Sequence, residues 1–77
     1  MDPQSNAYKY ALERLRNMRN RSEQSAIKVI RELIEDEKVP PDVAVRTVGV
    51  VFSLGFNLQG KLMDEAMRRY GHSAVRP

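Results

Sequence analysis

At 77 residues the chain holds one domain with a small core. It has no Cys and a single His, His72, close to the end, which excludes disulfides, thiolate metal sites and His-based metal sites. The net charge is +3, distributed as basic, acidic, basic: residues 1–21 carry +3, residues 22–42 carry −3 and residues 43–77 carry +3.

Residues 1–6 read as a short polar tail, although Asp2-Pro3 also suits a helix start, with Asp as N-cap and Pro at the first position. From Ala7 to Glu37 there is neither Gly nor Pro. Tyr8, Ala11, Leu12, Leu15, Met18, Ala26, Ile30 and Leu33 fall on one face at about 100° per residue, with Ser22 as the weak point. The stripe stays in phase throughout, which predicts one continuous helix about 45 Å long. The alternative is a break around Asn20-Arg21-Ser22, with Ser22 capping a second helix.

Val39-Pro40-Pro41-Asp42 ends this region, because proline disfavours helical backbone in the residue before it. Pro41 and Asp42 suit the start of the next helix. In the segment from Val43 to Leu58, the residues Val48, Val50, Phe52, Leu54, Phe56 and Leu58 alternate as in a strand. Asp42, Arg46, Gly49, Ser53 and Asn57 recur instead at helical spacing. A lone strand has no partner in the chain, so a buried helix ending near Gly55 is expected. A last helix follows from about Leu58 to Tyr70, on the stripe Leu58, Leu62, Ala66, Met67 and Tyr70. Gly71 reads as its stop and residues 72–77 as a tail. The expected fold is all-α: a single domain of residues 1–77, a small bundle of one long amphipathic helix plus two shorter ones, completed by antiparallel dimerisation.

Two observations motivate the dimer. A chain this small gains buried surface most simply from a second copy. In addition, a continuous first helix carries cations at its N-terminal end and Glu35, Asp36 and Glu37 at its C-terminal end, against its own dipole. An antiparallel mate corrects that, through an interface of Tyr8, Leu15, Met18, Ala26, Ile30 and Leu33.

No catalytic constellation is present. Glu32, Glu35, Asp36 and Glu37 read as a solvated acidic patch, and Gly49, Gly55 and Gly60 are too scattered for a phosphate loop. The expectation is a non-enzyme with no cofactor and no metal. The longest apolar stretch, Val43 to Leu58, contains Arg46 and is shorter than the ~20 residues of a membrane-spanning helix. The start lacks a basic n-region followed by an apolar one. A soluble intracellular protein without membrane contact is therefore expected.

On a continuous first helix, Arg14, Arg21 and Lys28 repeat every seven residues, a step of about 10 Å. Arg31 lies on the same side, with Lys9 and Arg16 at its edge. A rod with cations at that interval can follow phosphates along a groove, so the leading function is backbone-directed binding of duplex nucleic acid, with double-stranded RNA slightly ahead of DNA. The plain alternative for these cations is a solvated helix face. The competing function is a protein–protein module, a small inhibitor or adaptor gripping its partner by the apolar stripe or the acidic patch. A helix–turn–helix over residues 41–54, with a turn at Leu54-Gly55-Phe56-Asn57 and a helix from Leu58, is less favoured. Asp64 and Glu65 would face phosphates, and Lys61 would occupy a buried aliphatic position. Among the aromatics Tyr8, Tyr10, Phe52, Phe56 and Tyr70, most read as core, and Tyr10 as an exposed contact.

In shape and charge, paired helices with a basic outer face resemble the small nodavirus silencing suppressors. That resemblance implies binding along double-stranded RNA. It rests on no shared motif and carries over no residue.

Overall fold

The computed structural model describes residues 3–20 and 22–75. Four helices follow one another: α1 (Pro3–Arg16), α2 (Glu23–Glu35), α3 (Pro41–Val51) and α4 (Phe56–Val75). Among the described residues there is no strand. The all-helical expectation holds, with four helices in place of three.

The long first helix is the main correction. It breaks, and the break falls where Ser22 can act as a cap. Ser22 is extended (φ −113°, ψ 175°), and its Oγ accepts the Ser25 amide. Ser25 Oγ in turn donates to the Asn20 carbonyl at 2.8 Å. Upstream, α1 tightens as Met18 N–H bonds back to the Leu15 carbonyl. The physical reason for breaking is burial. Breaking the helix lets α1 fold onto α3, where Ala7 and Ala11 are 1% and 0% exposed.

The break corrects only half of the charge reversal that suggested a mate, because Glu35, Asp36 and Glu37 still close the C-terminal end of α2 with no cation in its last turn. The last turn of α1 now carries Arg14 and Arg16, and the first turn of α2 carries Glu23. Both agree with the helix dipole.

α3 packs against each of the other three helices. Its Ala44, Val45 and Val48 are completely buried, together with Val29 and Leu33 of α2. Five of the twelve buried apolar residues are alanine, so the helices approach closely and the core is thin. Ala26, Ile30 and Leu33, expected at a dimer interface, lie in this core. The chain spends most of its apolar stripe on itself. Tyr8 stays 48% exposed, and Leu15 and Met18 are half-buried.

α3 ends at Val51 rather than near Gly55. Ser53 takes a left-handed conformation (φ 56°). Leu54 N–H donates to the Gly49 carbonyl and Ser53 N–H to the Val50 carbonyl. These two bonds form a Schellman stop, with a serine at the position that glycine usually fills. The alternating run Val48 to Leu58 is therefore a helix end, a turn and a helix start. It has no common buried face: Val50 is 68% exposed and Phe56 94%.

α4 runs alongside α2 in the same direction. Lys61 lies by Glu23, Leu62 and Ala66 line a groove with Ile27 and Ile30, and Tyr70 donates to Glu35. Gly71 does not stop α4, which continues to Val75; residues 3–6 are likewise helical rather than a tail. No described helix is long and apolar enough to cross a membrane.

Candidate functional site

Three features carry polar chemistry. The first joins α1 to α2. Arg14 Nε donates to Glu32 Oε1 at 2.8 Å and Arg14 Nη2 to Oε2 at 3.0 Å, a two-pronged pair. Tyr10 donates its hydroxyl to Glu32 Oε1 at 2.9 Å. The guanidinium holds the Glu32 carboxyl below its usual range, against the opposing effect of burial. Burial, and then the bond to Glu32, push the Tyr10 hydroxyl up. Arg14 Nε and Nη2 and the Tyr10 hydroxyl are all spent on Glu32, so the cluster is a clasp between helices. Tyr10 is thus half-buried and bonded, where an exposed contact was expected.

The second feature is an open groove of about 70 Å³ between α2 and α4. Ile27, Ile30, Leu62 and Ala66 line it, with Arg31, Glu65 and Arg69 among its polar members. Among the described residues, no three carboxylates, cysteines or histidines gather closely enough to hold a metal ion.

The third feature is the outward face of α4. At 100° per residue, Phe56, Asn57, Gly60, Lys61, Asp64, Met67 and Arg68 share one side of this helix. All of them are exposed. The opposite side carries Leu62, 4% exposed, and Ala66, 6% exposed, toward α2. Against α3, Gln59 lies over Gly49, where a Cβ would stand 2.5 Å from the Gln59 side chain. Gln59 also donates to the Leu54 carbonyl at 2.9 Å, fixing the start of α4 against the turn.

This geometry changes two objections to a helix–turn–helix. The left-handed residue is Ser53, two places before Gly55. Moved back by the same two places, the position that Lys61 held falls on Gln59, half-buried and polar, while Leu62 is buried and Lys61 is exposed. Glu65 turns away from the outward face toward the groove, beside Arg31 and Arg69. Asp64 remains on that face.

The cations expected to contact nucleic acid no longer lie on one continuous helix. Lys9 and Arg16 are exposed on α1, and Lys28 and Arg31 on α2. Arg14 is bound to Glu32. Arg21 lies outside the described residues. The seven-residue interval from Arg14 to Lys28 belonged to a continuous helix, so it no longer measures a distance along one face. The outline that resembled the nodavirus suppressors rested on that same long helix.

Sequence reasoning missed Phe56, Asn57, Gly60 and Arg68. A helical wheel begun at Phe56 would have grouped them. In the sequence Phe56 belongs to an alternating apolar run, and its 94% exposure is decided by the turn. Neither a family model, nor a characterised protein, nor a solved structure matches this chain.

Proposed function

We propose that the protein is a small non-catalytic binder of duplex nucleic acid, and that it presents the outward face of α4. One observation carries this reading. A tight, rigidly bonded turn projects a 20-residue helix whose first turns expose Phe56, Asn57, Gly60 and Lys61, with Arg68 further along. In helix–turn–helix proteins the helix after the turn lays its N-terminal residues in a groove. The net charge of +3 and the positive N-terminal end of α4 favour a polyanionic partner.

The experiment is fluorescence anisotropy with duplex DNA, duplex RNA and single strands at two salt concentrations. Lys61→Glu and Arg68→Glu on α4 are compared with Lys28→Glu and Arg31→Glu on α2. Binding that weakens at higher salt and collapses in the α4 variants is expected. Collapse in the α2 variants alone moves the interface to α2. No binding at low salt ends the reading.

A protein-interaction module is the second reading, and Phe56 itself favours it, since a nearly fully exposed Phe is a typical anchor for a partner's pocket. Absence of binding to every nucleic acid at low salt would favour this alternative.

We also propose that two copies associate, now through the strip of α1 left half-exposed, Tyr8, Leu12 and Leu15. Small size and the acidic C-terminal end of α2, which still runs against its dipole, support this.

A further inference from the structure

We infer that α4 enters the major groove of B-form DNA and reads base edges there, with Phe56 against a thymine methyl and Asn57 on an adenine. This rests on the reading of α4 as a nucleic-acid contact and goes further, to the class of duplex and the bases.

The strongest support is a glycine with no internal purpose. Gly60 lies inside α4, where glycine weakens a helix relative to alanine. Its backbone has no positive φ, and nothing lies within 4 Å of where its Cβ would stand. No packing inside the protein requires the missing side chain. Gly60 is also exposed, between Phe56 one turn before it and Asp64 one turn after it on the same face. An absent side chain at that place lets the backbone approach something outside the protein.

The residues around the gap match base edges. Phe56 is 94% exposed and contributes nothing to the core, and apolar contact with the thymine methyl is one standard form of readout. Asn57 is exposed beside it, and its amide both donates and accepts, as adenine N6 and N7 require. Lys61, one turn on, is only loosely held by Glu23 at 3.9 Å and is free to reach guanine O6 and N7. Asp64 has the wrong sign for a phosphate, but it is an acceptor for cytosine N4. Arg68 lies at the far end of the face, suited to the backbone.

The same chemistry selects DNA over RNA. The major groove of B-DNA admits a helix, whereas that of A-form RNA is deep and too narrow. Uracil in RNA lacks the methyl group that Phe56 would cover.

The test begins with selection from randomised DNA duplexes, followed by anisotropy on the selected site. A selected site containing T·A is expected. Replacing the contacted thymine by deoxyuridine should weaken wild type about fourfold, the effect of one buried methyl group, and should leave Phe56→Ala unchanged. Gly60→Leu should lower affinity about tenfold or more while its melting temperature does not fall. A purely structural glycine cannot separate those two readouts. Binding without sequence preference, or equal binding of thymine and deoxyuridine sites by wild type, overturns base reading and leaves the duplex-binding proposal standing. Failure to bind any duplex overturns both.

Discussion

Exchanging Ser53 and Gly55 tests the turn on which the α4 surface depends. The double variant Ser53→Gly/Gly55→Ser leaves the composition unchanged and moves the glycine to where the backbone calls for one. Ser53 sits at φ 56°, while no glycine in the chain has positive φ. A left-handed conformation costs a non-glycine residue roughly 1–2 kcal/mol. Glycine removes that cost and gives back about 0.5–1 kcal/mol through its freer unfolded state. At position 55 the signs are reversed. Gly55 immediately precedes α4, its carbonyl accepts the Gln59 amide, and a Cβ there meets nothing within 4 Å. Serine at that N-cap stabilises by a few tenths of a kcal/mol over glycine and stiffens the unfolded chain by roughly 0.4–1 kcal/mol more. Together the exchange should stabilise by about 1–2 kcal/mol, a rise in Tm of about 4–8 °C for each kcal/mol in a domain this small. Thermal and urea unfolding followed by circular dichroism measure it. If the turn were centred on Gly55, as the sequence suggests, the exchange would destabilise. A lower Tm therefore refutes the Ser53 geometry.

Arg14→Met should destabilise by about 1–2 kcal/mol at neutral pH, because the pair is two-pronged but its side chains remain 30% and 20% exposed. Glu32 is held below its ordinary 4.5 in the folded state, so its contribution is complete above that value and is lost as pH falls through the lowered one. The gap between wild type and variant should thus close in acid, and a gap that stays constant from neutral pH down to the acid unfolding of the variant contradicts the clasp. For association, sedimentation equilibrium at micromolar concentration should give twice the 8.8 kDa chain mass, and Leu15→Glu should halve it. A single-chain mass for wild type removes the dimer.

Periodicity and punctuation made the helical class legible. The apolar positions of α2 and α4 recur at helical spacing, and Pro40-Pro41 marks the boundary before α3 whatever surrounds it, because proline acts on its own and the preceding backbone. Ser22 was legible as a cap, but an in-phase stripe outweighed it. A local signal cannot state whether a helix gains more by continuing or by folding back, since that depends on the burial of Ala7 and Ala11 against a segment about thirty residues away.

Composition and sequence alone determined that the chain is helical, small, mildly basic and without cysteine. The tertiary structure decided which charges and which aromatics face outward. It bound Arg14 to Glu32, drew Ala26, Ile30 and Leu33 into the chain's own core and left Phe56 in water. Exposure is a property of what packs against a residue, and for Phe56 that was set by a left-handed serine three residues earlier, a conformation no residue type in the turn announced.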